Sequence, residues 1–78
     1  MIALYMKNSL RVKDPPYDFV RVLSQKPPRY RGYRIDRNHG LCLVQEELPD
    51  TYLAEHRGWY HPATSWEIER YKELGGNV

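Results

Sequence analysis

The chain of 78 residues contains a single cysteine, a single phenylalanine and no long hydrophobic run. The lone cysteine, Cys42, cannot form an internal disulfide or a zinc site built on paired cysteines, so a reducing, cytoplasmic location is expected. The opening segment MIALYM is apolar for only six residues before Lys7. That length is too short for a signal peptide or a membrane span. The sequence therefore predicts no membrane partner, and MIALYM is interpreted as a first strand.

Aliphatic side chains are also scarce. Leu, Ile, Val and Phe make up 17 of the 78 residues, close to the level at which chains stay disordered unless other side chains fill the interior. Seven Tyr and two Trp can fill it, because aromatic rings bury large areas while their polar ends reach water or a partner. One small folded domain over residues 1–78 is expected.

Charge is distributed unevenly although the net charge is only +2. Residues 1–40 carry nine Lys/Arg against three Asp/Glu, whereas residues 41–78 carry three against seven. This asymmetry predicts one of two arrangements. The basic half binds an anionic partner, or the two halves neutralise each other across a sheet.

The clearest local pattern is YRGYRID-RNHG-LCLVQEEL, in which two strand-like runs flank a turn that ends in glycine. It predicts a hairpin over about residues 29–48 with a three-residue loop at 38–40. The predicted cross-strand pairs are Arg37 with Leu41, Ile35 with Leu43, Tyr33 with Gln45 and Arg31 with Glu47. Arg31 thus has an acidic neighbour, whereas Arg29 and Arg34 have no obvious one.

Proline pairs delimit the segment YDFVRVLSQ, residues 17–25. Its β-branched residues favour a strand, although Asp14 and Pro15 would also suit the start of a short helix. A strand is the preferred interpretation, and GWYHP, residues 58–62, is a candidate closing strand.

A helix is predicted over about residues 65–74. Thr64 and Glu67 have the spacing of a capping box, and Gly75 supplies a stop. Apolar residues recur at Ile68 and Tyr71, so the helix should lie across one sheet face.

The order VRVLS…YRGYRI…LCLVQEELPD, three strand-like runs with tight connections, resembles a small SH3-like barrel over about residues 18–50. The resemblance implies a compact barrel outline and carries no family motif, so no binding residue is transferred from it. The expected fold class is mainly β (α+β). It comprises a small SH3-like or partly open barrel or sheet of four to five short strands with one C-terminal helix.

The segment PPRYRGYRIDRNHG, residues 27–40, combines cations that bind phosphates with flat rings that stack on bases. A strand places alternate side chains on opposite sides, so they share one ligand only at a sheet edge or with a bend at Gly32. The segment is interpreted either as a solvated strand or as a contact surface. The candidate contact residues are Arg29, Tyr30, Arg31, Tyr33, Arg34 and Arg37.

A second aromatic concentration comprises Trp59, Tyr60 and Trp66. The preferred interpretation is core that fastens the helix to the sheet. The alternative is an exposed patch at Trp59 and Tyr60 that anchors a protein partner.

Three function hypotheses follow. The leading one is a small non-catalytic binding module, an adaptor or inhibitor. It would engage a larger protein, such as a nucleic-acid-handling machine, through strand 29–37. Direct binding of RNA or DNA is the alternative. A toxin-type ribonuclease that uses a histidine or carboxylate as base is the third.

No catalytic residue, metal or cofactor is assigned. His56 and His61 lie five residues apart, off the usual spacing of metal ligands on one helix face, and lack a third ligand nearby. The partner and the oligomeric state are left open.

Overall fold

A computed structural model describes residues 3–9, 15–38 and 42–76. Its strands are β1 (Leu4–Lys7), β2 (Phe19–Gln25), β3 (Pro28–Asp36), β4 (Cys42–Leu48) and β5 (Tyr60–Pro62). Its helices are α1 (Tyr52–Glu55) and α2 (Ser65–Glu73). The expected mainly β class with a C-terminal helix is confirmed. The short helix α1 is an additional element that the sequence did not predict, because its apolar residues Tyr52 and Leu53 show no helical repeat.

The five strands form one antiparallel sheet in the order β4-β3-β2-β1-β5. Strands β1 to β4 follow one another across the sheet, and the chain then returns so that β5 lies beside β1. Strands β4 and β5 are its two edges and, over the described ranges, do not pair with each other. Of the expected forms, the structure therefore has the open sheet.

The predicted hairpin register is confirmed between β3 and β4. Ile35 lies opposite Leu43, Tyr33 opposite Gln45 and Arg31 opposite Glu47. The predicted pair of Arg37 with Leu41, and the loop residues 39–40, lie outside the described residues. Residues 19–25 form strand β2, as preferred over the helix.

Helix α2 covers one face of the sheet, called the α2 face below. Phe19 and Tyr33 are fully or almost fully buried there, and the Tyr71 ring of α2 packs against both. The Tyr71 ring centroid lies 5.5 Å from that of Phe19 and 5.1 Å from that of Tyr33. Leu4 and Leu74 complete this apolar core. Three of the five buried side chains in this core are thus aromatic rings, which compensates for the scarcity of aliphatic residues.

The capping box that starts α2 is confirmed. The Thr64 hydroxyl accepts a hydrogen bond from the Glu67 amide at 3.3 Å, and the Glu67 carboxylate accepts one from the Thr64 amide at 2.9 Å. Past the last turn, Gly75 has φ of 97°, a conformation that glycine adopts without steric cost. Sequence alone therefore located both ends of this helix.

The opposite face of the sheet, called the α1 face below, is covered by α1 and by Tyr17. The Tyr60 hydroxyl donates to the Tyr17 carbonyl at 2.7 Å and lies 2.8 Å from the Tyr52 hydroxyl. A Cβ on Gly32 would lie only 2.7 Å from the Tyr17 ring, so the absence of a side chain lets that ring pack directly on β3. Hydrogen bonds of these tyrosines thus attach α1 and the Tyr17 segment to β5 on this face.

A buried ion pair ties the end of β1 to the segment before β2. The Lys7 ammonium is 4% exposed, donates to the Pro15 carbonyl at 2.8 Å and lies 3.5 Å from the Asp18 carboxylate. The same carboxylate accepts the Ile35 amide at 2.9 Å. Both charges are therefore compensated by hydrogen bonds as well as by each other.

Candidate binding surfaces

The basic strand predicted from sequence is β3, and it lies inside the sheet between β2 and β4. Its side chains therefore alternate between the two faces. Arg29, Arg31 and Tyr33 project to the α2 face, and Tyr30 and Arg34 to the α1 face. Tyr33 is only 1% exposed, so it belongs to the core. The six predicted contact residues do not form one surface.

Arg37 lies just beyond the end of β3 and is exposed. The neighbouring Asn38 amide donates to the Asp36 carboxylate at 2.9 Å, which fixes a turn at this end of the strand. Arg37 is therefore separated from Arg29 and Arg31 by most of the length of β3.

Two of the predicted arginines join a third from β2. Arg21 lies directly opposite Arg31 across the β2–β3 ladder, and Arg29 follows Arg31 on the same face. We call Arg21, Arg29 and Arg31 the arginine cluster. Arg21 is not among the residues predicted from sequence, because only the β2–β3 register places it beside Arg31. The alternation of β2 alone does not reveal that neighbour.

Few carboxylates contact the arginine cluster. Glu47 lies opposite Arg31 in the ladder, but its carboxylate reaches diagonally to Arg29, at 3.8 Å. Arg31 instead donates to the Gln45 side-chain oxygen at 3.4 Å. The expected acidic neighbour of Arg31 therefore serves Arg29, as long side chains on diagonal positions allow. Because Arg29 and Glu47 are 61% and 73% exposed, their ion pair contributes little to stability.

Tyr71 marks the border between the arginine cluster and the core. Burial raises the pKa of the Tyr71 hydroxyl, and its hydrogen bond with Tyr33 raises it further, while Arg21 partly offsets both effects. The hydroxyl is thus held neutral at physiological pH, next to the Arg21 guanidinium. Arg21 is anchored at the margin of α2 by this contact.

A cleft of about 440 Å³ opens on the α1 face, between the sheet and the turn that follows α1. This volume is within the range of small-molecule sites in proteins. The sheet contributes three tyrosines and the α1 side contributes the opposite wall. The lining residues are Tyr5, Tyr30, Leu53, Ala54, His56, Arg57, Gly58 and Tyr60.

Two of the residues predicted as candidate sites, Tyr30 and Tyr60, meet in this cleft. They come from β3 and β5, which are three strands apart in the sheet order. In the sequence they belong to separate aromatic groups. Their neighbours Tyr5, His56 and Arg57 could not be predicted, since no local pattern shows that the chain after α1 folds over the sheet.

The walls of the cleft are fixed by hydrogen bonds. His56 Nδ1 lies 2.8 Å from the Tyr52 carbonyl, and the His56 ring stacks on the Tyr52 ring at 4.1 Å. Because a carbonyl only accepts, Nδ1 carries the proton and donates. The following turn is tied to β1 through Asn8, whose side chain donates to the Gly58 carbonyl at 2.7 Å.

The tryptophans do not fasten the helix to the sheet. Trp66 is 77% exposed and Trp59 is 46% exposed, so the core interpretation is wrong for Trp66. Ile68 and Tyr71 define the inner side of α2, and Trp66, two residues before Ile68, falls on the opposite side of the helix. Tyr60 is half-buried and hydrogen-bonded inside the molecule. Trp59 is thus the exposed member of the predicted Trp59–Tyr60 patch.

Two further observations concern the described residues. No group of three or more His, Cys, Asp or Glu side chains among them is placed to hold a metal ion. No helix in the described ranges has the length and apolarity needed to cross a membrane.

Comparisons with protein families, with curated proteins and with solved structures find no match to this chain. Its function is therefore argued from the arginine cluster and the cleft themselves.

Proposed function

We propose that this protein is a small non-catalytic binding module, an adaptor or inhibitor, that engages an acidic surface of a larger protein through the arginine cluster. The observation that carries the proposal is the direct pairing of Arg21 with Arg31 across two strands, with Arg29 beside them. Like charges in directly opposite positions destabilise a sheet. An anionic partner would neutralise both arginines and relieve that repulsion, and this relief would favour binding.

The chemistry of the cluster suits carboxylates. Each guanidinium presents a planar fork of donors that can grip a carboxylate with two hydrogen bonds. Over the described ranges, Glu47 is the one carboxylate in contact with the cluster, and its pair with Arg29 is exposed and long. The cluster therefore retains donors for an acidic partner.

Nucleic acid is the competing ligand, because phosphates bind the same arginines. The acidic second half of the chain disfavours it. Helix α2 borders the cluster and carries three acids, Glu67, Glu69 and Glu73, against Arg70 and Lys72. This small negative excess adds nothing to the attraction of a phosphate backbone approaching from that side. Part of this proposal is a reducing, cytoplasmic setting, in which the exposed Cys42 stays a free thiol.

The test is capture of partners from nuclease-treated native lysate by the tagged full-length chain, at about 0.15 M salt. The bait variants are an Arg21→Gln/Arg31→Gln double variant and, as a matched control, Arg34→Gln. Arg34 lies on the same strand β3 but projects to the α1 face. We expect a specific captured protein to be lost with the double variant and retained with Arg34→Gln. The double variant should be at least as stable to heat as the wild type, because it removes the repulsion between Arg21 and Arg31.

A second measurement distinguishes the competing ligand. The purified domain is titrated with a fluorescent single-stranded oligonucleotide and with an acidic peptide of equal net charge, at low and physiological salt. Protein engagement predicts feeble, unselective oligonucleotide binding at about 0.15 M salt. Tight oligonucleotide binding that falls steeply with salt and is lost in the double variant would replace the proposal by direct nucleic-acid binding.

A further inference from the structure

The cleft on the α1 face is a second site, separated from the arginine cluster by the thickness of the sheet. We infer that it binds a mononucleotide, a flat heterocyclic ring that carries a phosphate. The proposal rests on the groups that line the cleft and on how they are held, and it is independent of the function proposed for the arginine cluster.

Aromatic rings line the cleft from two parts of the chain. Tyr5 and Tyr30 are half-buried on the sheet, and His56, whose ring stacks on Tyr52, lines the cleft from the segment after α1. Stacking of a base on aromatic side chains stabilises binding and tolerates any base, because every base has a π-face. Tyr5, Tyr30 and His56 are therefore the rings on which one flat heterocycle can stack.

The polar groups of the cleft are mainly donors. The Tyr5 and Tyr30 hydroxyls and the Arg57 guanidinium have no hydrogen-bond partner among residues 3–9, 15–38 and 42–76. The cleft lining contains no Asp or Glu. Phosphate oxygens accept strongly from guanidinium and hydroxyl groups. The cleft therefore matches an anion rich in acceptor oxygens.

The cleft is also preorganised. His56 is fixed by its Nδ1 hydrogen bond to Tyr52 and by stacking on the Tyr52 ring. Its Nε2 has no hydrogen-bond partner in the described part of the chain, so it can accept from an exocyclic amino group or a ribose hydroxyl. Gly58 is held by Asn8. The Tyr60 hydroxyl is likewise held by Tyr17 and Tyr52. Since these contacts fix the walls beforehand, little ordering is required when a ligand binds.

A mononucleotide combines both requirements in one small molecule. A volume of about 440 Å³ accommodates one such unit, and the single Arg57 charge suits one phosphate. A run of acidic residues would need several cations along the cleft, whereas the lining provides one arginine. A phosphorylated tyrosine side chain shares the ring and the phosphate, so it becomes a competing arm of the test.

The test is an NMR titration of the full-length, 15N-labelled chain with adenosine monophosphate. Parallel titrations use adenosine, inorganic phosphate and phosphotyrosine. We expect saturable shifts at the cleft residues, and affinities about tenfold weaker for adenosine and for phosphate alone, since each lacks half of the contacts. Arg57→Gln should weaken adenosine monophosphate binding about tenfold, as loss of one charge-assisted contact predicts.

Two controls keep the test decisive. Arg57 is exposed, so Arg57→Gln should keep the wild-type spectrum even if the ring-removing variant Tyr30→Leu unfolds the domain. Arg31→Gln, in the arginine cluster, should leave the affinity unchanged. Three results would overturn the inference: shifts centred on Arg21 and lost in Arg31→Gln, equal affinity for phosphotyrosine, or no saturable shift at about 10 mM ligand.

Discussion

The two faces of the sheet are built on different physical principles. On the α2 face, Phe19 and Tyr71 pack ring against ring with essentially no exposed surface. On the α1 face, Tyr17, Tyr52 and Tyr60 are joined through hydroxyl and carbonyl groups, and part of the surface remains an open cleft. A chain with few aliphatic residues thus packs ring on ring on one side. On the other side it links buried and half-buried tyrosines by hydrogen bonds, next to an open cleft.

This difference has a functional consequence. A close-packed face tolerates little rearrangement, because loss of even a methylene is felt. A face held by hydrogen bonds can present rings and hydroxyls to a ligand without exposing the core. The arginine cluster extends the packed face beyond the helix, whereas the cleft is part of the hydrogen-bonded face. We therefore expect loss of side-chain volume to destabilise the α2 face most, and loss of a hydroxyl group to destabilise the α1 face.

The largest effect is expected from Phe19→Ala on the α2 face. Phe19 is fully buried between the sheet and Tyr71, and removing such a ring leaves a cavity that costs about 3–5 kcal/mol. A domain of this size has little more stability than that. We expect loss of the cooperative transition in urea, followed by circular dichroism.

Leu23→Ala on the same strand is the matched control for Phe19→Ala. Leu23 is 37% exposed, so its truncation should cost less than about 1 kcal/mol. If Phe19→Ala unfolds near the wild-type urea midpoint, the α2 face is not the main source of stability and the comparison of the faces fails.

Tyr60→Phe tests the α1 face and should have an intermediate effect. The substitution preserves the ring but removes two contacts of the Tyr60 hydroxyl, its donation to the Tyr17 carbonyl and its contact with the Tyr52 hydroxyl. Leaving partly buried polar groups unpaired costs about 1–3 kcal/mol. The urea midpoint should fall accordingly.

Tyr5→Phe is the control for the loss of a hydroxyl on the same face. Within the described part of the chain, the Tyr5 hydroxyl has no hydrogen-bond partner, so its removal should change stability by less than about 0.5 kcal/mol. Equal destabilisation by Tyr5→Phe and Tyr60→Phe would show that the hydrogen bonds of Tyr60 are not what holds the α1 face.

Local patterns predicted much of the fold. The Asn38–Gly40 turn signal and the two alternating runs were enough for the β3–β4 register, because a shift by one residue would have moved Tyr33 and Ile35 away from the core. Thr64, Glu67 and Gly75 marked α2, because capping depends on residues close in sequence. Such elements are encoded within a few residues.

The sites were harder to predict, because they depend on contacts between distant segments. Arg21 joins Arg31 only through the β2–β3 register, and Tyr30 meets Arg57 only because the chain folds back after α1. The four-residue helix α1 was also missed. The concentration of aromatic residues near Trp66 favours a place in the core, whereas the position of Trp66 on the outer side of α2 decides its exposure. Tertiary contacts, not composition, place these residues.

The smallest effect tests how α2 is attached to the sheet edge at β5. Each ring nitrogen of His61 lies against an oxygen: Nδ1 is 2.6 Å from the Asn8 side-chain oxygen, and Nε2 is 2.9 Å from the Glu67 carboxylate. Since the Asn8 amide group donates to Gly58, its oxygen is the atom that faces His61. The imidazolium form, with a proton on each nitrogen, satisfies both contacts.

Burial alone would raise the pKa of Glu67, but hydrogen bonds from the Thr64 amide and from His61, with the His61 charge, lower that pKa overall below 4.5. A carboxylate whose pKa is lower in the folded than in the unfolded state stabilises the fold above the unfolded value. That contribution disappears as the pH falls through the folded pKa.

We therefore expect the urea midpoint of the wild type to fall more steeply below pH 4.5 than that of Glu67→Gln. Glu67→Gln should in turn be the less stable protein at pH 7. Glu69→Gln removes a carboxylate from the same helix, one that is 68% exposed and 3.6 Å from Lys72, and its profile should run parallel to that of the wild type. Parallel profiles for wild type and Glu67→Gln would show that the contact between His61 and Glu67 does not hold α2 to the sheet.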